Sequence, residues 1–206
     1  MYVPSSFRED DPEKISSFIR KYSFGVLVSG LEGSLQASHL PFLLEEKAGS
    51  PGVLISHMAA VNGQGKGLEG REVVVMFQGP HAYISPSWYG VIEAVPTWNY
   101  TAVHVYGRYI PVTEEEETRQ ILQKMVYFYE QNNPKPWDLN SLPKDYFEKL
   151  LKMIAGFKIE ITRWEGKWKL SQNHSEEKRL NVIQALKQGD PGAQAVAKFM
   201  EEKRNP

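Results

Sequence analysis

The sequence predicts an α+β protein whose centre is an antiparallel β-barrel or β-sandwich. Six or seven segments with the two-residue period of strands follow one another from residue 24 to residue 112, joined by short turns. Beyond residue 113 the apolar period becomes that of helices, and strict alternation returns only at residues 157–161. We therefore expect a single domain, residues 1–206, long enough to bury a large core.

The N-terminal part begins with a predicted helix, DDPEKISSFIRKY, and continues with strands. Asp10 or Asp11 can cap this helix, and Pro12 suits its first turn. Its apolar residues share one face: Ile15, Phe18 and Ile19. Strands are then predicted at FGVLVSG, SLQASHLPFLLEE and GVLISHM, with LEG and EKAGSP as the turns between them.

The middle of the chain combines a glycine-rich loop, NGQGKGLEGRE, with three predicted strands: VVVMF, HAYISPSWY and VPTWNYTAVHVYGRYIPV. Eight of the 24 aromatic residues lie between Phe77 and Tyr109. Aromatic residues favour strands and bury large areas, so this density fits either a barrel core or the wall of a binding site.

The remainder of the chain predicts helices on either side of one more pair of strands. A helical insertion is expected at about residues 114–155, from TEEEETRQILQKMVYFYEQ and KDYFEKLLKMIAG. FKIEITRWEGKWKLSQN predicts a strand, a turn at Glu165-Gly166 and a short return strand. Two C-terminal helices are expected at about residues 175–204, the second beginning at Asp190.

Composition and charge argue against several classes of protein. The chain has 24 Lys and Arg against 25 Asp and Glu, without the basic excess typical of nucleic-acid binders. Even the C-terminal helices carry a balanced charge, which disfavours DNA binding. Cysteine is absent, no signal peptide is recognisable, and the longest apolar run, Val73–Phe77, is too short to cross a membrane. We expect a cytoplasmic protein with no membrane contact.

The segment VPTWNYTAVHVYG carries rings with polar groups on a single predicted strand. A period of two places Trp98 and Tyr100 on one face, which we take as the packing face. Thr97 and Asn99 then lie on the other, mixed face, which suits a planar heteroaromatic ligand. Barrel core is the competing interpretation for each single ring.

The segment ISHMAAVNGQGKG ends a strand in Ser56-His57 and continues into glycines with Lys66 among them. Glycines allow backbone N–H groups to converge on an anion, and a lysine adds charge, although an ordinary surface turn fits the segment as well. It does not match a P-loop. The five histidines lack metal-ligand spacing, and no nucleophile motif is present, so no metal or catalytic residue is predicted.

The motifs SHMAAVN, GPHAYISPSWY, VPTWNYTAVHVYG and KLSQN, in that order, closely resemble the PaiB family of FMN-binding negative transcriptional regulators. The resemblance extends from MYVPSSF to VIQAL near the C-terminus. It implies an antiparallel split β-barrel of the FMN-binding type and a homodimer with flavin sites at the subunit interface. It also implies a role in repressing genes for sporulation and degradative enzymes.

The resemblance further implies which residues contact FMN. They fall in four short segments: Ser56 and His57; Asn62, Gln64 and Lys66; Thr97, Trp98 and Asn99; and Ser171, Gln172 and Asn173. The second segment would lie near the phosphate, and the third would contribute across the interface.

The chain also departs from the family pattern at four positions that bear on phosphate binding. Where the family's first loop reads closer to HxARANPQW, this chain has Ala60 for the arginine and Gly63 for the proline. Glu93 stands before VPTWNY, and His174 replaces a basic residue after SQN. Each lost charge-assisted hydrogen bond weakens phosphate binding by roughly 1.5–3 kcal/mol.

Three functional hypotheses follow from the residues and the resemblance together. The first is a homodimeric negative regulator of sporulation and protease synthesis that binds FMN or a similar planar ligand. The second is a flavin-dependent oxidoreductase, in which the cofactor carries the chemistry and the protein positions it. The third, direct DNA binding by the C-terminal helices, is disfavoured by their charge.

Overall fold

The computed structural model describes residues 1–47 and 49–203. Over these residues the chain forms eight strands: β1 (Arg8–Glu9), β2 (Phe24–Leu31), β3 (Ser34–Pro41), β4 (Leu43–Lys47), β5 (Ser50–Ala59), β6 (Glu72–Ile84), β7 (Thr97–Pro111) and β8 (Ile154–Lys169). Five α-helices accompany them: α1 (Pro12–Lys21), α2 (Glu115–Glu130), α3 (Lys144–Leu151), α4 (Glu176–Lys187) and α5 (Pro191–Glu202).

The strands form one sheet in the order β3-β2-β6-β7-β8-β5-β4, with β1 paired to β8. Antiparallel pairs join β2 to β3 and β6, β5 to β4 and β8, and β1 to β8. The mixed α+β class and the antiparallel sheet predicted from the sequence are confirmed. Among the described residues no helix combines the length and apolar character that crossing a membrane requires.

The chain divides into two compact units. Unit 1 comprises Met1–Phe18, Gln78–His104 and the described residues of Glu165–Pro206; unit 2 comprises Ile19–Phe77 and Val105–Trp164. The core of unit 2 contains a chain of rings in which Phe157 stacks on Tyr109 at 4.9 Å and meets Phe42 edge-on at 6.2 Å. In unit 1, Phe18 packs against Trp168 with ring centroids 5.0 Å apart.

The two helix starts proposed from aspartate and proline are confirmed. Asp11 Oδ1 accepts hydrogen bonds from the backbone N–H groups of Glu13 and Lys14 at 2.9 and 3.4 Å, immediately before α1. Asp190 accepts one from the backbone N–H of Ala193 at 2.9 Å before α5. Both carboxylates satisfy donors that the first helical turn leaves without a partner inside the helix.

The turn predicted at Glu165-Gly166 is wrong, because β8 runs without interruption from Ile154 to Lys169. Gly166 serves a close approach instead. It pairs with Glu9 of β1, and a Cβ atom at this glycine would lie 2.6 Å from the Glu9 carbonyl oxygen. HAYISPSWY is likewise not a separate strand: β6 continues through it to Ile84 and a 3₁₀ turn, Pro86–Tyr89, follows.

Two predicted segments extend beyond the described residues. Ala48, within the predicted turn EKAGSP, and Arg204, at the end of the C-terminal helical pair, lie outside them. Inside them, the C-terminal pair is confirmed as α4 and α5.

Candidate functional site

The alternation predicted for β7 is present, but its two faces are assigned the wrong way round. Asn99 and Thr101 are 1% and 0% exposed and form the packing face, whereas Trp98 is 53% exposed. The Trp98 ring lies near two side chains of β6, His81 and Tyr83, with centroids 6.2 and 6.0 Å away. These rings form an exposed aromatic surface in unit 1, of the kind on which a planar ligand can stack.

Asn99 is buried because its amide finds a partner on the segment after β8. Its Nδ2 donates to Ser171 Oγ at 3.0 Å, and the Tyr89 hydroxyl lies 3.4 Å from the same oxygen. Ser171 has a φ of 63°, a left-handed conformation that is uncommon for serine. The structure thus brings two predicted residues together, Asn99 and Ser171, in a buried network that fixes the SQN segment.

Lys169 lies at the start of KLSQN and connects this segment to the beginning of β7. Its ammonium donates to Thr97 Oγ1 and, at 2.6 Å, to the Trp98 carbonyl oxygen. Both partners are neutral, and no carboxylate among the described residues pairs with it. Burial and, to a smaller degree, the neighbouring Lys167 ammonium lower the pKa of Lys169.

Lys169 was absent from the residues predicted to contact FMN. The signal was in the sequence, since KLSQN is one of the motifs behind the family resemblance and Lys169 is its first residue. A partly buried cation with only neutral partners is the feature that identifies it, and only the structure reveals that feature. Such a cation favours an anionic ligand.

The other residues of the SQN segment differ in whether their side chains are free to contact a ligand. Gln172 closes the turn, because its Oε1 accepts the Leu170 N–H at 2.6 Å and its Nε2 donates to the Trp168 carbonyl oxygen. Asn173 is exposed. The His174 ring lies 4.5 Å from that of Tyr89, tilted by 32°. Burial, Lys178 and Lys169 lower the pKa of its imidazole, so it is a poor substitute for a permanent cation.

In unit 2, Ser56 and His57 lie side by side on β5 but face different surroundings. Ser56 is fully buried and its hydroxyl donates to the Pro41 carbonyl oxygen at 2.6 Å. His57 borders a cavity of about 230 Å³, with Nδ1 3.3 Å from Met125 Sδ. Burial lowers the pKa of the His57 imidazole below its usual value of 6.5.

We expect His57 to make the protein less stable as the pH falls below about 6.5. The pKa of His57 is lower in the folded protein than in the unfolded chain. Between these two pKa values the unfolded chain binds more protons, so the stability of the fold rises with pH and is lost as the pH falls. Denaturant unfolding of wild type and His57→Gln at about pH 7 and about pH 5 measures this. The variant should lose less stability than wild type between these two pH values. Equal losses in both proteins would contradict a lowered pKa of His57. His104 and His174 contribute equally to the pH dependence of stability in wild type and in the variant.

The glycine-rich loop is held by two of its own predicted residues. Asn62 donates to Ser38 Oγ at 3.0 Å and accepts the Gln64 backbone N–H at 3.0 Å. Gln64 is 3% exposed, and its amide nitrogen lies within 3.2 Å of three acceptors: Leu27 O, Ser29 Oγ and Gln36 O. These two side chains therefore anchor the loop to β2 and β3.

Lys66 is one of two cations in this loop; the other, Arg71, donates from Nε to the Gly67 carbonyl oxygen. The Lys66 side chain is exposed and makes no ion pair or hydrogen bond with any residue that the structure describes. An exposed ammonium without a partner fits both interpretations of the loop, an anion site and an ordinary surface turn, so the role of Lys66 stays a prediction.

The chemistry of these side chains fits FMN. A flavin phosphate requires cationic donors, and each unit offers a lysine without a carboxylate partner: Lys169 in unit 1 and Lys66 in unit 2. A planar ring requires an apolar or aromatic surface, and Trp98 with Tyr83 offers one. Ser56, Asn62, Gln64, Asn99, Ser171 and Gln172 use hydrogen-bonding groups within the fold, which suits supporting roles.

Comparison with solved structures shows the fold. The flavocytochrome Anf3 of Azotobacter vinelandii superposes with a TM-score of 0.60, at 15% identity over 84% of this chain and 75% of that one. A FAD and heme binding protein of Mycobacterium smegmatis gives a TM-score of 0.61, at 11% identity over 84% and 78%. These similarities confirm the predicted split-barrel architecture.

Comparison of sequences identifies the family. A family model described as "Putative FMN-binding domain" matches residues 1–163. The chain is 41% identical, over 98% of both chains, to "Protease synthase and sporulation protein PAI 2" of Bacillus subtilis. It is 30% identical to an uncharacterized protein of Aspergillus fumigatus over 98% of this chain and 97% of the other. The expectation of FMN as the cofactor is confirmed at the level of the family. The chain belongs to the PaiB family of FMN-binding split-barrel proteins.

Proposed function

We propose that the protein is a homodimeric, FMN-binding negative regulator of sporulation and degradative-enzyme synthesis. The observation that carries the proposal is the 41% identity, over 98% of both chains, to a protein named for protease synthesis and sporulation. The availability of Lys169, Lys66 and the exposed Trp98 ring supports the flavin part of it.

The described residues divide into those that would hold FMN and those that position them. In unit 1, Lys169 offers positive charge to a phosphate and Trp98 offers an aromatic face to a ring system; in unit 2, Lys66 offers an exposed ammonium group to a phosphate. Thr97 and Asn173 add polar contacts, while Asn99 and Ser171 fix the backbone that carries Lys169. Bound FMN supplies a planar, redox-active ring system.

A second copy of the chain is the partner we propose for the exposed apolar side chains of unit 1. Ile92, Val95 and Trp98 are 101%, 75% and 53% exposed, and covering them would remove apolar surface from water. Sedimentation should give a dimer for wild type and a monomer for the Ile92→Asp, Val95→Asp double variant. A wild-type monomer at micromolar concentration would refute the dimer.

Titration with FMN is the experiment that tests the flavin proposal directly. Purified protein should quench FMN fluorescence in a saturable manner, and yellow preparations should release FMN on denaturation. Absence of saturable binding would refute the proposal. Turnover of NADH or NADPH by the loaded protein would instead favour the oxidoreductase hypothesis.

The regulatory part requires a test in cells. Expression of this chain in Bacillus subtilis lacking the PAI 2 protein should reduce secreted protease activity relative to an empty vector, if both proteins share the role. Unchanged protease and sporulation levels at normal expression would argue against regulation. A promoter-DNA gel shift that persists at moderate salt would support direct DNA contact, which the balanced charge of the chain disfavours.

Replacement of Lys66 by alanine is expected to weaken FMN binding several-fold. An exposed ammonium contributes modestly because solvent screens its attraction to phosphate. Fluorescence titration of wild type, Lys66→Ala and the control Lys187→Ala measures the change. Equal affinities for the first two proteins would place the glycine-rich loop outside the site.

A further inference from the structure

A cavity of about 420 Å³ in unit 1 is lined by residues other than those proposed for FMN. Three rings form its apolar part: Phe18 of α1, Trp168 of β8 and Phe199 of α5. Phe18 lies 5.0 Å from Trp168 and 6.4 Å from Phe199, centroid to centroid, with the latter pair edge to face. The rings converge from three elements, but Phe18 and Trp168 are each only 4% exposed, so the partly buried Phe199 offers most of the accessible ring surface.

The polar part of the lining is mostly acidic. Its charged residues are four carboxylates and two ammonium groups: Glu9, Asp11, Glu13, Glu202, Lys14 and Lys203. Glu9 is buried and pairs with Lys203 at 2.8 Å, and Asp11 caps α1 and lies 3.7 Å from Lys14. Two negative charges remain in excess.

The excess charge belongs to Glu13 and Glu202. Neither side chain makes an ion pair or hydrogen bond with a residue in the described part of the chain. Glu202 is also the last residue of α5, and the C-terminal end of a helix carries a partial negative charge. The first turn of α1 also lines the cavity, and its partial positive charge offsets that of the α5 terminus, so the two unpaired carboxylates are what favours a positively charged group there.

We propose that this cavity binds a small organic cation, an amine attached to an apolar or aromatic body. Aromatic rings attract an ammonium group through their electron-rich faces, and the lining carboxylates add Coulomb attraction. The apolar body can contact Phe199, the most accessible of the three rings, which gives such a ligand an advantage over an inorganic cation. The cavity would then give the protein a second ligand site, independent of flavin.

Binding of 2-phenylethylamine tests the proposal, with 2-phenylethanol as the uncharged control of the same shape. Calorimetry or ligand-observed NMR on the full chain should show saturable amine binding that weakens with added salt, and clearly weaker binding of the alcohol. No saturable binding of the amine, or equal binding of both compounds, overturns the proposal.

Two double variants locate the binding. In the Glu13→Gln, Glu202→Gln protein the amine should bind roughly fivefold more weakly, because both uncompensated charges are removed. The Glu160→Gln, Glu177→Gln protein, which loses two exposed carboxylates that do not line the cavity, should bind the amine like wild type. An equal effect of the two variants would indicate nonspecific attraction. FMN affinity should be the same in all three proteins, so failure here is distinguishable from failure of the flavin proposal.

Discussion

Replacing Phe157 with alanine is expected to lower the free energy of unfolding by roughly 3–5 kcal/mol. The ring is 0% exposed and sits between two others, stacked on Tyr109 at 4.9 Å and edge-on to Phe42 at 6.2 Å. Removing it deletes buried apolar surface and leaves a cavity that the close-packed neighbouring side chains can fill only in part. The ring pairs themselves add a smaller loss.

Denaturant unfolding of Phe157→Ala and wild type measures this effect, with Tyr127→Ala as the matched control. Tyr127 is also an aromatic residue of unit 2, but it is 73% exposed, so its removal should change stability by less than about 0.5 kcal/mol. A loss below about 1 kcal/mol for Phe157→Ala would show that the ring is not part of a close-packed core.

The sequence predicts which segments form strands and helices better than it predicts which of their side chains are buried. Alternation along 97–103 correctly indicates a strand, and Asp11 with Pro12 correctly indicates a helix start. Period alone gives two faces without saying which is inside. Asn99 is inside because Ser171, 72 positions later, satisfies its amide, and a pattern local to β7 does not contain that partner.

The incorrect prediction of a turn at Glu165-Gly166 has a similar cause, a partner that is distant in the sequence. Glu165-Gly166 resembles a turn in a sequence, since glycine is common where chains reverse. The requirement at Gly166 is the closeness of the Glu9 backbone on β1, more than 150 residues earlier. Glycines that allow turns and glycines that allow close approach have the same local signature.

The candidate site was predicted by motif, and the structure separates roles within each motif. Asn62 and Gln64 precede Lys66 in one loop, yet the first two anchor the loop and, of the three, only the lysine side chain is available for a ligand. Lys169 was missed because its value depends on burial and on the neutral partners Thr97 and Trp98, neither of which its own segment specifies.

Replacing Lys169 with glutamine is expected to weaken FMN binding by roughly tenfold or more, the largest effect we predict for a single residue of the site. A charge-assisted hydrogen bond contributes about 1.5–3 kcal/mol, and the partly buried position of this ammonium limits screening by solvent. The ligand-free protein should also lose some stability, roughly 1–3 kcal/mol, because the hydrogen bonds from Lys169 to Thr97 Oγ1 and the Trp98 carbonyl oxygen are removed. Fluorescence titration and denaturant unfolding give the two quantities.

Lys169→Arg and Lys198→Gln are the controls that separate a ligand contact from a structural role. The arginine variant keeps the positive charge and should retain most of the FMN affinity. Lys198 is an exposed lysine of α5 that is not among the residues proposed for FMN, so its replacement controls for the loss of a surface charge. The pH dependence is a further criterion. Since the pKa of Lys169 is lowered, wild-type affinity should decline at alkaline pH before an ordinary lysine would lose its proton, whereas Lys169→Arg should not show that decline. If Lys169→Gln binds FMN as tightly as Lys198→Gln, the ammonium does not contact the cofactor and serves only to join β7 to the KLSQN segment.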